Sequence, residues 1–186
     1  GFSAENAVTF RLPAPNQDVL DAFGGMQQFF PEVRAQLAAL PGVTNVGAIS
    51  HLPYDEGLPN WATPYLREGD TDRDHAATAD TRAVLPGYFE AVGARLLEGR
   101  QFGDADAAEA PNVAIVDERL AQRLWPGESA IGKRFVGDPL TTGGPGVRVT
   151  VVGVVRHLRH RRPTQEVREQ IYYPWSQAPR IPMAFV

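Results

Sequence analysis

The stretch Asn16-Gln-Asp-Val-Leu-Asp-Ala-Phe-Gly-Gly-Met-Gln-Gln-Phe-Phe-Pro-Glu-Val-Arg-Ala-Gln-Leu-Ala-Ala-Leu40, set between Ala7-Val-Thr-Phe-Arg-Leu12 and Val43-Thr-Asn-Val-Gly-Ala-Ile-Ser50, decides the fold. Its apolar residues Val19, Phe23, Met26, Phe30, Val33, Leu37 and Leu40 are spaced in steps of 4, 3, 4, 3, 4 and 3, one face of a helix. Asn16 is a suitable N-cap, and Pro41-Gly42 stops the helix. Pro31 removes a backbone donor, which predicts a kink or a restart near residue 30, and Gly24-Gly25 is a second flaw. The β-branched and aromatic flanks read as strands. Residues 7–50 are therefore expected to form a strand–helix–strand unit.

Beyond this unit the chain alternates short elements. Trp61 to Arg67 and Thr78 to Val84 read as strands, separated by an acidic run over 68–80. Pro86 to Val92 is expected to be a short helix with Gly93 at its C′ position, and Arg95 to Gly99 a strand or turn. Val113-Ala-Ile-Val116 is a buried strand, with Asp117 capping a helix over Glu118 to Leu124 that Pro126-Gly127 ends. Gly132 to Val136 and Val147 to Val155 are expected to pair across a glycine-rich loop, and Ile171-Tyr-Tyr173 is one more strand. The class is α+β. The second strand–helix–strand pattern, 78–99, makes two such units and points to a ferredoxin-like layer of helices on an antiparallel sheet. Residues 103–175 are richer in strands and are expected to form a second lobe. Met183-Ala-Phe-Val186 reads as a strand just beginning, as at a boundary inside a longer protein; an apolar end docked on the core is the alternative.

Composition narrows the function classes. The chain has 186 residues, 43% of them hydrophobic, enough for a core without metal or disulfide support. Its net charge of −4 argues against a nucleic-acid or anionic-membrane binder. Zero Cys removes thiol catalysis and zinc–thiolate sites. No apolar run approaches the roughly 20 residues of a membrane span, and the start lacks the pattern of a signal peptide.

No catalytic constellation emerges. His157 and His160 lie among Arg156, Arg159, Arg161 and Arg162, and a cationic setting repels a metal. His51 and His75 stand alone. Ser50 and His51 are adjacent, so on a strand they would face opposite ways and form no dyad. Gly143-Gly-Pro-Gly146 lacks the Lys-Ser/Thr of a phosphate loop. No catalytic, cofactor-binding or metal-binding residue is assigned. Two features remain as candidate partner contacts. One is the arginine cluster, with Arg156, Arg159, Arg161 and Arg162; a solvated loop paired with acids elsewhere, such as the run 68–80, is the alternative. The other is Tyr173 with Trp175 on one face, for which core packing is the alternative.

Six segments resemble a known family in their order. They are Ala39-Leu-Pro-Gly-Val-Thr-Asn-Val-Gly-Ala-Ile-Ser-His-Leu-Pro53; Leu85-Pro-Gly-Tyr-Phe89 leading into Leu97-Glu-Gly-Arg-Gln-Phe102; Val113-Ala-Ile-Val-Asp-Glu-Arg-Leu-Ala-Gln-Arg-Leu-Trp-Pro-Gly127; Ile131-Gly-Lys-Arg-Phe135; Val149-Thr-Val-Val-Gly-Val-Val155; and Ile171-Tyr-Tyr-Pro-Trp-Ser-Gln177. Together they resemble the MacB-like periplasmic core domain of ABC transporter permeases with an FtsX-like membrane part. The resemblance implies a porter-like lobe, placed at 1–102 plus 176–186, with a strand-rich, sabre-like lobe inserted at 103–175. It implies a non-enzymatic domain on the periplasmic face of the bacterial cytoplasmic membrane, between two transmembrane helices of its own permease. ATP is then hydrolysed by a cytoplasmic ATPase, and a periplasmic adaptor and a homodimer held through the membrane part are implied partners. The domain would transmit conformational change to substrate or partner proteins outside the membrane. The competing readings are a binding module that captures a peptide, lipid or drug, and a hydrolase using the His157/His160 region. If both chain ends are driven by the membrane, Phe2–Leu12 and Met183–Val186 must be neighbouring strands at one end.

Overall fold

The computed structural model of the chain describes residues 7–55, 61–70, 76–137, 146–161, 167–179 and 182–186. After β1 (Phe10–Leu12), Asn16 caps α1 (Gln17–Ala22), its side chain accepting from the Val19 N–H at 3.0 Å. Gly24 and Gly25 then turn the chain at φ +75° and +107°, and α2 (Met26–Ala38) begins. The break therefore lies at the glycine pair, not near residue 30. Two successive residues in backbone conformations open to glycine end a helix outright, whereas Pro31 inside α2 forfeits one hydrogen bond and points its ring to solvent.

The remaining elements are β2 (Ala48–Ile49), β3 (Ala62–Arg67), β4 (Ala77–Leu85), α3 (Tyr88–Ala91), β5 (Leu96–Gly99), β6 (Val113–Asp117), α4 (Glu118–Leu124), β7 (Arg134–Gly137), β8 (Val147–Val155), β9 (Gln170–Pro174) and β10 (Met183–Phe185). The ten strands among the described residues belong to one sheet. Its pairings close on themselves: β4 pairs with β3, β3 with β7, β7 with β8, β8 with β6, β6 with β9, and β9 returns to β4. Closure satisfies the edges that an open sheet would expose. Two of these pairings, β4–β9 and β6–β8, are parallel, so the sheet departs from the antiparallel layer expected from sequence. The strands of 103–175 close this ring together with β3 and β4, and no break in hydrogen bonding sets them apart.

From the end of β4 a branch continues through β2 and β10 to β1. β10 is antiparallel to both β1 and β2, so it lies inside the first strand–helix–strand unit and splits it. Alternation along the strands sorts the core. One cluster takes Val116, Tyr173, Tyr65 and Phe135 with Leu120 of α4. The opposite side of the same strands gives a second cluster with Ile115, Tyr172 and Val84, covered by Tyr88 and Phe89 of α3 and by Leu158. In the third, Phe29 and Phe30 of α2 meet Ala83, Leu85, Trp175 and Phe185. Phe30 has no exposed surface and stands edge-on to Trp175, centroids 5.5 Å apart. Burying such a ring contributes about 2–3 kcal/mol.

Candidate functional site

Two places combine buried chemistry with an exposed rim. The first is where the chain ends. Phe10 pairs with Phe185 and Leu12 with Met183, and the rings of Phe10 and Phe185 stack with centroids 5.6 Å apart. Because the pair is antiparallel, residues 7–9 and Val186 leave the sheet side by side. Gly47 exchanges backbone hydrogen bonds with Val186, 3.1 Å from its own N–H and 3.0 Å from that of Val186. Beside them lies a groove of about 540 Å³ whose lining, including Val8, Phe10, Leu40 and Val43, carries no charge.

The second place is the segment after β8, residues 156–161, which runs as a strap over the face carrying Ile115 and Tyr172. Asp117 begins its fastening. This carboxylate has no exposed surface; Oδ1 accepts from the Leu120 N–H at 2.9 Å, capping α4, and Oδ2 lies 2.5 Å from His157 Nδ1. A carboxylate only accepts, so Nδ1 carries the imidazole proton. The His157 N–H donates to Glu118 Oε1 at 3.2 Å. Leu158 is buried, and its carbonyl accepts from Gln170 Nε2 at 2.6 Å.

His160 is buried and its Nε2 lies 3.1 Å from the Tyr172 hydroxyl. That hydroxyl donates to Gln170 Oε1, so its oxygen is left to accept from His160 Nε2–H. Nδ1 of His160 has no hydrogen-bond partner among the described residues. Burial, followed by the charge of Arg82, holds the imidazole well below its ordinary pKa, so it stays neutral. Burial likewise pushes the Tyr172 phenol well up and lowers the Arg82 guanidinium. Arg161 ends the strap with two hydrogen bonds to Asp80, from Nε at 2.7 Å and from Nη2 at 2.6 Å.

The arginine cluster therefore divides. Arg161 is spent on a buried acid at the end of the 68–80 run, as the paired-loop alternative has it. Arg156 and Arg159 are exposed. Arg162 and His75 lie outside the described residues. Tyr173 and Trp175 are each 1% exposed, Tyr173 in the first core cluster and Trp175 in the third. Reading them as an interface gives way to core packing, because both faces of this sheet are covered. Ser50 and His51 also need correction. β2 stops at Ile49, strand alternation does not reach them, and Ser50 Oγ lies 3.2 Å from His51 Nδ1. Both are buried, and Oγ also accepts from the Ala83 N–H at 3.2 Å, so the pair ties β2 to β4 rather than facing a substrate.

The strap's anchors went unassigned in the sequence. Asp80 and Arg82 stand two apart on β4 and so share a face, a signal that the strand pattern carried. Asp117 is legible as a cap but not as the partner of His157, 40 residues away. Among the described residues no group of three or more His, Asp or Glu is placed to hold a metal ion, and no helix is long and apolar enough to cross a membrane.

The family model described as the MacB-like periplasmic core domain matches residues 1–184. The macrolide export ATP-binding/permease protein MacB of Pasteurella multocida (strain Pm70) is 26% identical over 182 residues, which cover 95% of this chain and 25% of that protein. Its namesake from Shewanella sp. (strain ANA-3) is 29% identical over 116 residues, 61% of this chain and 17% of its own length. The chain thus spans a quarter or less of these curated relatives. Two solved structures share the fold. The periplasmic region of MacB from Actinobacillus actinomycetemcomitans has a TM-score of 0.54 at 19% identity, covering 84% of this chain and 63% of that one. The extracellular domain of the noncanonic ABC-type transporter YknZ from Gram-positive bacteria has a TM-score of 0.55 at 18% identity, covering 96% and 82%.

Proposed function

The chain belongs to the MacB-like periplasmic core domain family, the extracytoplasmic domain type of ABC transporter permeases, and from that premise we propose that it is a non-catalytic relay of motion. In this reading two transmembrane helices of the same permease hold its ends, a cytoplasmic ATPase drives them, and the domain acts on substrates or partner proteins outside the membrane. A periplasmic adaptor and a homodimer through the membrane part complete the proposed assembly. One observation carries the reading: β1 and β10 are hydrogen-bonded neighbours, so Phe10 and Phe185 enter the body as one antiparallel pair. Displacing either end then pulls on the same pair of strands, and β2 passes the displacement to β4.

We also read the two lobes as two cores on one sheet. The α2 cluster with Phe185 belongs to the porter-like part, 1–102 plus 176–186, with Trp175 entering it from the strand-rich part, 103–175, to which the α4 cluster belongs. Tyr65 and Ala79 join the α4 cluster from outside that range and tie the parts together.

The test uses the full-length permease. Flexible Gly/Ser linkers of ten residues placed at both junctions of the domain would make its ends move independently, since such chains behave as random coils. Loss of transport with ATP hydrolysis retained is the expected result; undiminished transport would end the relay reading. A second reading, capture of a peptide, lipid or drug, has one observation in its favour, the uncharged groove at Val8, Phe10 and Leu40. Saturable enhancement of an apolar dye's fluorescence by the chain, abolished by Leu40→Glu, would favour capture.

A further inference from the structure

We propose that residues 158–160 form an acid-operated latch, closed over Tyr172 by a neutral His160 and released when that ring gains a proton. The tautomer sets where the proton must go. Nε2–H donates to the Tyr172 hydroxyl oxygen at 3.1 Å, so a second proton can enter only at Nδ1. Nδ1 is buried and meets no acceptor among the described residues. The surrounding groups offer a new positive charge no partner. β4 presents Arg82 and Asp80, and Asp80 is already taken up by Arg161 and Arg82. β9 presents Tyr172 and Gln170, α3 brings Tyr88 against Tyr172, and the loop after β2 presents His51. The strap itself carries His157, Arg159 and Arg161, with Arg168 across a small crevice. Asp117 of β6 is held by His157. An imidazolium here would be buried beside guanidinium groups with no carboxylate of its own, and it is relieved by leaving.

The geometry also confines what leaves. On either side of the latch a charge pair resists mild acid: His157 on Asp117, which protonation of His157 strengthens, and Arg161 on Asp80. Between these clamps two hydrogen bonds hold the backbone. Gln170 Nε2 donates to the Leu158 carbonyl at 2.6 Å, and the Tyr54 N–H donates to the His160 carbonyl at 2.9 Å. Tyr54 is the one non-glycine residue with positive φ among the described residues, at +61°, and its side chain is exposed. A tyrosine held in this region stores strain that opening releases. Leu158 opposes opening, since it shares a buried cluster with Ile49 of β2, Val84 of β4 and Tyr172. Its withdrawal would uncover Tyr172 and loosen the support of those two strands.

Linkage gives the direction and size of the response. In the open form His160 meets water and titrates at about pH 6.5. In the closed form burial holds it well below that value. The closed form is therefore fully favoured above pH 6.5 and loses ground as pH falls toward the closed-state pKa. The open population rises about ten-fold between pH 7.5 and 5.5.

The test is native-state amide exchange, with the Tyr54 N–H reporting on the latch and the β8 amides on whole-chain unfolding. After correction for the intrinsic exchange rate, opening at Tyr54 is expected to increase about ten-fold from pH 7.5 to 5.5. Urea well below the unfolding midpoint should leave it unchanged, because little surface is uncovered, whereas β8 exchange should accelerate. His160→Gln keeps a donor toward the Tyr172 hydroxyl and cannot charge, so it should abolish the acid response. A Tyr54 N–H that follows the urea dependence of β8, that shows no rise in acid, or that rises equally in His160→Gln would each overturn the proposal. Should His160→Gln fail to fold, the 15N shifts of the His160 ring decide. A ring titrating at about pH 6.5 while the Tyr54 N–H stays protected would refute the latch.

Discussion

Arg161 and Asp80, 81 residues apart in sequence, meet through two hydrogen bonds, and Arg82 stands 3.7 Å from the same buried carboxylate. One acid thus serves two guanidinium groups, one of them fully buried. Asp80→Asn removes the counter-charge that the two share, at a cost of about 3–5 kcal/mol. Arg161→Met removes one guanidinium while Arg82 still faces the acid, so about 1–3 kcal/mol is expected. Urea unfolding of the two variants tests this; a smaller loss for Asp80→Asn than for Arg161→Met would refute it.

His160 makes the fold sensitive to acid. It is held neutral by burial and faces Arg82 on β4, Tyr172 and Gln170 on β9, His157 and Arg161 on the strap, and His51, with Asp80 behind the two arginines. In the unfolded chain it takes up a proton below about pH 6.5. Since the folded pKa is the lower one, stability declines as pH falls from 6.5 toward that value. The slope from this group is at most about 1.4 kcal/mol per pH unit. His160→Gln removes that slope. Urea midpoints at pH 7.5, 6.5 and 5.5 should fall more steeply for the unsubstituted chain, and parallel curves would rule out the assignment.

Gly47 is wedged under α3. A Cβ there would fall on the Tyr88 backbone, whereas a Cβ on Gly103 meets nothing within 4 Å. Backbone atoms cannot swing aside as a side-chain tip does. Gly47→Ala is expected to cost about 3 kcal/mol, and Gly103→Ala to stay within about 0.5 kcal/mol. Thermal midpoints compare the two directly, and equal shifts would contradict the packing described.

Pro31 sits inside α2, where alanine would restore a hydrogen bond to the Gln27 carbonyl. Its ring is exposed, so little packing is lost. Pro31→Ala should stabilise the chain by about 1–2 kcal/mol after the unfolded chain's added freedom is counted. A lower midpoint in urea would show that the proline is needed where it is.

Local chemistry was the legible part of this sequence. The Asn16 and Asp117 caps lie where side-chain oxygens beside a periodic run require them. The β7–β8 pairing also follows from residues read in order, whereas the adjacency of β1 and β10 follows from the family resemblance, which ties both chain ends to a membrane. Features that depend on which strand meets which were not legible. The parallel pairing of β4 with β9 joins Asp80 to Gln170, and nothing near either residue announces the other. With β4 on one edge of β9 and β6 on the other, Tyr173 is packed into the cluster of Tyr65, Phe135 and Leu120, so an alternating aromatic pattern that resembles an interface is core. Strand length was overestimated at 43–50: the ladder with β10 runs from Ile49 only as far as Gly47, whose two bonds to Val186 extend the Ala48–Phe185 register by one pair.

The stacking of Phe10 on Phe185 has a consequence for biosynthesis. Among the described residues β1 has one strand partner, β10, which emerges from the ribosome long after it. β1 is therefore made long before it can be placed, and closing so large a loop is slow. Until β10 arrives, the β2 edge that it will occupy stands open to strands of other molecules. Slow, late completion of this edge makes truncation before Met183 a route to aggregation rather than to a smaller folded body.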